Sequence, residues 1–260
     1  MKVFWNNLKT AFAMFSRIPM PPADWNPENM QYMMCFFPLI GVPIGVLECL
    51  LFYLQERVCF SSIFAGAFVF LIPLLVTGGI HLDGFLDTSD ALCSYREPLK
   101  RLEILKDSHV GAFAVICGCG YFILYFAGGC QLMEQGNTKT IELFALTFVM
   151  ARCLSGLSVI VFPKAKADGT VAAFSGNASD VRSRNILIIL LMVVYGVMLM
   201  VSVYGGLSML LTSVVVFCYY RYKSMKYFGG TTGDLCGWFL CLCELWCLLV
   251  LGILSRMTSL

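Results

Sequence analysis

Apolar residues in this chain come in long blocks, not in the strict alternation of a half-buried strand. Residues 33–54, 61–80, 110–133, 141–162, 186–203, 206–220 and 235–253 each approach or reach the roughly 20 residues needed to cross a hydrocarbon core. The first block is interrupted by Pro38 and Pro43. The pattern predicts an all-α, polytopic membrane helix bundle with about seven transmembrane helices, residues 1–260 forming a single domain. Ahead of the first block, Phe4, Trp5, Leu8, Phe12, Phe15 and Ile18 recur at helical spacing, with Asn6, Asn7, Lys9 and Thr10 between them. This predicts an N-terminal amphipathic helix lying in the membrane interface. No small-residue cleavage site follows it, so it does not read as a cleavable signal.

Composition agrees with the block pattern. At 59% hydrophobic and 13% charged residues, the chain lacks the polar surface to coat a soluble fold of its length. A net charge of +2 gives no footprint for nucleic acid. The placement of charge is more informative than its sum. With the N-terminus in the cytoplasm and spans alternating, fourteen Lys and Arg fall on the cytoplasmic side, from Lys2, Lys9 and Arg17 through Arg221, Lys223 and Lys226. Only Arg57, Lys139 and Arg256 fall on the other side, and Arg152 lies within a span. That asymmetry obeys the positive-inside rule and supports seven spans. Most of the 13 cysteines lie inside apolar blocks and no C-x-x-C pair occurs, so they read as small hydrophobic residues.

In this topology the segments 81–109, 163–185 and 221–234 share the cytoplasmic face. The connections opposite, at 55–60, 134–140 and around Tyr204–Gly206, carry little that could do chemistry. The segment 77–92 reads T-G-G-I-H-L-D-G-F-L-D-T-S-D-A-L. Its Asp83, Asp87 and Asp90 stand at i, i+4 and i+7, so a helix aligns the three carboxylates on one face. Like charges at that spacing repel, and desolvation near a membrane adds to the repulsion, unless a cation sits on the stripe. Oxygen ligands without thiolates select a hard metal, Mg²⁺ or Mn²⁺. The plainer alternative is a solvated acidic face, but Phe85, Leu86, Ala91 and Leu92 make the segment too apolar for a fully wet loop. His81 is either a ligand, a hydrogen-bond donor to phosphate, or a satisfied group behind the site.

Further polar candidates follow. Lys106, Asp107, Ser108 and His109 stand at the entry of the next span, where Lys106 and His109 suit phosphate oxygens. Residues 229–234, G-G-T-T-G-D, precede the last span, and the backbone N–H groups around Gly229, Gly230, Thr232 and Asp234 suit an anion. Gly and Asp also make ordinary turns and caps there. Arg152 and Glu244 are ionisable residues inside spans and must face the bundle interior or water. They either pair with each other or leave Arg152 to reach a substrate phosphate.

Six blocks together resemble a known family over nearly the whole chain. They are S-R-I-P-M-P (16–21), F-P-L-I-G (37–41), T-G-G-I-H-L-D-G-F-L-D-T-S-D (77–90), E-I-L-K-D-S-H-V-G (103–111), A-R (151–152) and G-G-T-T-G-D-L-C-G (229–237). Their sequence and order resemble cobalamin synthase, the adenosylcobinamide-GDP ribazoletransferase family. The resemblance implies a multi-pass enzyme of the bacterial cytoplasmic (inner) membrane with its active site on the cytoplasmic face. It implies nucleotide-loop assembly in cobalamin biosynthesis, in which α-ribazole or its 5′-phosphate joins adenosylcobinamide-GDP with release of GMP and a requirement for Mg²⁺. By the same resemblance Asp83, Asp87 and Asp90 fall on the family's acidic motif as metal ligands, one of them also a candidate general base. The match does not assign individual roles; Asp83 and Asp87 are read as metal-binding and Asp90 as shared between metal and hydroxyl activation. His81, Lys106, Asp107 and Arg152 fall on further polar positions of the family. Two departures stand out: His109 where the family suggests Arg, and Cys241 where a Glu often precedes Glu244 by three.

Two competing readings are weaker. A CDP-alcohol phosphotransferase would carry D-G-x-x-A-R, but Leu86, Asp87 and Thr88 follow Asp83-Gly84-Phe85. A cation transporter would place carboxylates near mid-span, where only Glu48 and Glu244 stand, and no internal repeat accompanies them.

Overall fold

The computed structural model describes residues 2–26, 30–107, 109–165 and 179–257. Ser108 and Lys166 lie outside the described residues. The chain is all-helical. Its elements are α1 (Lys2–Phe15), a short α2 (Met33–Phe36) continued by a 3₁₀ turn (Phe37–Ile40), α3 (Gly41–Val58), α4 (Ser62–Thr77), α5 (Ile80–Cys93), α6 (Pro98–Ile104), α7 (Ala112–Gln135), α8 (Thr138–Val161), α9 (Ser179–Val201), α10 (Val203–Phe228) and α11 (Gly233–Met257). Pro38 is taken up by the 3₁₀ turn, and Pro43 sits in the first turn of α3, where its missing N–H costs no intrahelical bond.

Six stretches are long and apolar enough to span a membrane: 33–58, 112–135, 138–161, 181–201, 203–228 and 233–255. The block at 61–80 supplies a seventh candidate span only together with the helix that follows it, since α4 and α5 are long and apolar enough as a bent pair. Its helix α4 has 16 residues and rises about 24 Å, short of the ~30 Å hydrocarbon core. It ends at Gly78 and Gly79, both left-handed at φ 67° and 79°, a conformation that favours glycine. Both glycine N–H groups bond to the Leu74 carbonyl. The chain then turns by 99° into α5. The segment expected as a loop over 81–109 is therefore two helices, and α5 packs against the N-terminal halves of α7 and α11, with Phe85 on Tyr121, Asp90 at Ala114 and His81 at Gly237.

The connections on the opposite end are shorter than the sequence suggested, at 59–61, 136–137 and Ser202. Tyr204–Gly206 belongs to α10 itself. Asn137 and Ser202 each cap the helix that follows through a side-chain oxygen. Helix α8 forms the centre of the bundle: 72% of its span is buried, against 17% of the 181–201 span, which marks α9 as lipid-facing. The α3–α8 contact depends on Gly41 and Gly45. A Cβ at Gly41 would lie 2.6 Å from the Phe148 carbonyl, and one at Gly45 would lie 2.7 Å from the Ala145 oxygen. Small residues four apart let two helix backbones approach in a solvent where no hydrophobic effect drives them together.

The N-terminal helix is present, but with its polar side inward. Asn6, Asn7 and Thr10 are buried, whereas Phe4 and Trp5 are exposed. The Asn6 amide donates to the Asp24 carbonyl at 2.7 Å and accepts from the Asp24 N–H at 2.8 Å, while Asn7 Oδ1 accepts from the Tyr32 N–H at 2.8 Å. The asparagines thus hold the segment after α1 against the helix, while Leu8, Phe12 and Phe15 pack on the core and Phe4 and Trp5 stay exposed. All thirteen cysteines are unpaired, and Cys153, Cys236, Cys241, Cys243 and Cys247 are buried as small apolar residues.

Gly45→Leu is expected to lower thermal stability in detergent by at least about 1–3 kcal/mol, the usual cost of overpacking. Gly196→Ala should be neutral or stabilising by up to about 1 kcal/mol, because nothing lies within 4 Å of its Cβ position. Thermal unfolding of both variants beside wild type checks the pair.

Candidate metal and phosphate site

Helix α5 divides its residues by face. His81, Gly84, Phe85, Thr88 and Ala91 are buried, and they recur at the spacing of one helical stripe. Asp83, Asp87 and Asp90 occupy the opposite side, Asp83 exposed and the other two half-buried. The aspartates share a face, as the i, i+4, i+7 spacing predicts. The buried stripe packs against α11 more extensively than any other pair of helices in the bundle. Two glycines permit this. A Cβ at Gly84 would lie 2.8 Å from the Asp234 backbone, and one at Gly237 would lie 2.9 Å from the His81 carbonyl oxygen.

That contact brings a fourth carboxylate to the stripe. Asp234 stands in the first turn of α11, where a negative charge is also favoured by the helix dipole. Burial pushes the Asp87 carboxyl up to about 6, and the charges of Asp83, Asp234 and Asp90 push it the same way. Among the described residues no three His, Cys, Asp or Glu side chains converge as a preformed metal cage. The carboxylates form a stripe along two helices.

Asp90 has a second duty that the sequence reading did not foresee. Its Oδ1 accepts from the Ala114 N–H at 3.3 Å, and the Cβ position of Gly111 lies 2.2 Å from its carboxylate oxygens. It therefore caps the N-terminus of α7 from another helix. The far end of α5 is held by Arg101, which reads in the sequence as a simple membrane anchor. Arg101 is buried, donates to the Ala91 and Leu92 carbonyls at 3.2 and 2.9 Å, and lies over the Tyr227 ring.

The G-G-T-T-G-D segment is mostly structural. The Gly229 N–H bonds to the Met225 carbonyl, that of Gly230 to Ser224, and that of Thr231 to Pro163 at 2.8 Å. These donors are taken, so the expected anion nest does not form at Gly229 and Gly230. Thr232 caps α11 by accepting from the Leu235 N–H. Gly233 and Asp234 alone of this segment line a cavity of about 200 Å³, together with His81, Asp83 and an apolar wall of Phe15, Met34 and Phe37. His81 is buried between the Phe15 and Phe37 rings, and its Nε2 has no hydrogen-bond partner among the described residues.

Arg152 takes the first of the two alternatives left open by the sequence. It is fully buried and donates to Glu244 Oε1 at 2.8 Å and to the Phe148 carbonyl at 2.9 Å. It sits behind His81 and does not line the 200 Å³ cavity. Lys106, Asp107 and His109 lie together on an exposed segment just before Gly111. His109 donates its backbone N–H to Asp107 at 3.0 Å and sets Nδ1 2.7 Å from the same oxygen, and these bonds hold the Asp107 carboxyl below its usual range.

Compared with known proteins, the chain matches the family described as cobalamin-5-phosphate synthase over residues 7–252. It is 42% identical over 242 residues to an adenosylcobinamide-GDP ribazoletransferase of Lachnoclostridium phytofermentans, covering 92% of this chain and 90% of that one. It is 30% identical to the protein of that name in Clostridium perfringens strain SM101, covering 98% and 100% of the two chains. The protein of that name in Geobacillus kaustophilus is 30% identical, with 91% of each chain covered. No solved structure matches.

If Asp90 caps α7, Asp90→Ala should lower unfolding stability by about 1 kcal/mol, whereas Asp90→Asn, which keeps an acceptor oxygen, should lose about half of that or less. Thermal unfolding in detergent tests this; two variants as stable as wild type would show that the cap contributes nothing.

Proposed function

The chain belongs to the cobalamin-5-phosphate synthase family, and on that premise we propose that it is an adenosylcobinamide-GDP ribazoletransferase working at the membrane boundary. In this reaction the hydroxyl of α-ribazole, or of its 5′-phosphate, forms a bond to the phosphorus that carries cobinamide. The bond from that phosphorus to GMP breaks, GMP leaves with the bonding pair, and the hydroxyl proton passes to a carboxylate of the site. The product is adenosylcobalamin or its 5′-phosphate.

The observation that carries the reading is the meeting of α5 with α11, which gathers Asp83, Asp87, Asp90 and Asp234 beside a cavity with an apolar wall. Phosphoryl transfer depends mostly on positioning and charge neutralisation, and this arrangement offers both. The donor set is hard oxygen without thiolate, and the crowding of negative charge around Asp87 is what a divalent cation would relieve. These residues therefore fit Mg²⁺. Asp83, Asp87 and Asp234 would hold it, with Asp90 contributing the oxygen not committed to Ala114. When bound, Mg²⁺ would neutralise charge on the transferring phosphoryl group.

His81 offers its unpartnered Nε2 to a substrate hydroxyl or phosphate oxygen. Lys106 and His109 supply cationic capacity on the exposed segment, at a distance from the cavity wall. Arg152 acts indirectly, fixing α8 to α11 behind His81 through Glu244. The aspartates share the bundle end with Lys164, Arg221, Lys223 and Lys226, which supports a cytoplasmic active site in the inner membrane.

Purified protein in detergent or liposomes should release GMP from adenosylcobinamide-GDP only when α-ribazole and Mg²⁺ are both supplied. Folded protein that releases none with verified substrates would exclude the assignment. Asp83→Asn should reduce turnover about 100-fold or more while leaving membrane insertion intact, because it removes an exposed charge with no packing role. Near-normal turnover would remove Asp83 from the metal shell.

A further inference from the structure

Beside the 200 Å³ cavity lies a second, wider depression of about 580 Å³, lined by Arg17, Thr77, Gly78, Gly79, Asp83 and Leu86 among others. Its size falls in the ~300–1,000 Å³ range of small-molecule sites. Asp83 borders both spaces. Arg17 and Asp83 are the charged residues of the depression, and among the described residues Arg17 makes no ion pair. The Thr77 hydroxyl is already committed to the Pro73 carbonyl, and that of Ser16 to Phe12.

Arg17 is held in place by built features. Its backbone N–H bonds to the Val76 carbonyl at 2.8 Å, which ties the end of α1 to the end of α4. Its side chain lies directly on Gly78: a Cβ there would come 2.4 Å from Arg17 Nε and 2.6 Å from Cγ. The glycine is thus needed twice, for its left-handed backbone and for the space the arginine occupies. The turn that aims α5 into the bundle also seats a cation on the same depression as Asp83.

We infer that Arg17, seated on the Gly78–Gly79 turn, binds a phosphate of the diphosphate substrate while Asp83 faces the metal side of the same group. This rests on the transferase reading above. An arginine fork matches phosphate oxygens in two parallel hydrogen bonds, and an exposed guanidinium keeps its donors available. A lipid headgroup phosphate has the same chemistry, but Asp83 would repel it unless a divalent cation intervened. A nucleoside diphosphate with bound Mg²⁺ meets both charges at once. Arg17 would then be a substrate-binding residue for the nucleotidyl half of the reaction and not for α-ribazole.

Steady-state kinetics of Arg17→Gln and Arg17→Lys beside wild type, in detergent, test this. Arg17→Gln should raise KM for adenosylcobinamide-GDP about tenfold or more, as expected for a lost charge-assisted hydrogen bond, and leave KM for α-ribazole unchanged. Arg17→Lys keeps the stem and the charge but not the fork, and should recover part of the loss. Unchanged KM values in both variants overturn the inference. So does an equal rise for both substrates that lysine does not relieve, since that marks a purely structural arginine. A changed dependence on anionic lipid in vesicles with unaltered KM would assign Arg17 to headgroups and overturn it too. Equilibrium dialysis of GDP with Mg²⁺ makes the same comparison without turnover, so that wild-type protein which binds GDP through Arg17 but releases no GMP would sink the transferase reading alone. GDP binding unaffected by either substitution would sink this one.

Discussion

The close approach of α5 to α11 is the contact on which the rest of the site depends. Neither helix could reach the other if Gly84 or Gly237 carried a side chain, since the added atom would meet backbone at 2.8 or 2.9 Å. Backbone cannot rotate away as a side-chain tip can, so the contact is all or nothing. Once made, it carries Asp234 onto the acidic stripe and buries His81 at the base of the cavity. Two like charges about 6 Å apart repel by roughly 3 kcal/mol at the effective dielectric near a protein surface, and by under 1 kcal/mol in water. The packing glycines therefore hold together charges that would separate if the helices were free to move. That is a poor arrangement for stability and a suitable one for a cation.

The remainder of the bundle answers a different constraint, the cost of polar groups in lipid. Arg152 and Glu244 neutralise each other across α8 and α11 at 2.8 Å. Removing one partner of such a pair typically costs several kcal/mol, because the other is left charged and buried. Glu48 is fully buried nearby with both carboxylate oxygens unpartnered among the described residues. Cys241 packs in the same zone, at the position where the resemblance to the family leads one to look for a second glutamate. The interior polar residues and the surface aspartates thus form two separate layers, with His81 between them. His81 lines both the cavity and the small space around Arg152 and Glu244, and Phe37 joins it, lining the cavity while its ring faces the Arg152 guanidinium.

The spans were legible from block length alone, since a bilayer imposes a minimum that no other environment does. So was the face of α5 that bears the aspartates, because helical period fixes it regardless of partners. What the pattern could not show was depth and direction. The 61–80 block reads as one straight span because Pro73, Gly78 and Gly79 bring no charge to interrupt the apolar run. Only their backbone angles reveal the 99° turn. The burial of Asn6 and Asn7 on α1 is hidden for a related reason: hydropathy ranks them as surface residues, but they are satisfied by the backbone of Asp24 and Tyr32, far along the chain. Gly229 and Gly230 show the opposite failure. Their composition suits an anion nest, yet their N–H groups are used locally, by the Met225 and Ser224 carbonyls.

Arg17 was overlooked as a site residue although it stands in one of the blocks that carry the family resemblance. In the sequence it is one of fourteen Lys and Arg on the side that holds the N-terminus, and the positive-inside rule accounts for all of them alike. The geometry separates the members of that class by what holds each side chain. Arg101 is spent on the carbonyls that end α5, and Arg221 lies over Phe162. Arg17 is positioned by the glycine turn but paired with no carboxylate among the described residues, while Asp83 stands on the same depression. A cation and an anion that share a depression without bonding to each other leave room for a ligand bearing both signs, which is what a metal-bound phosphate is.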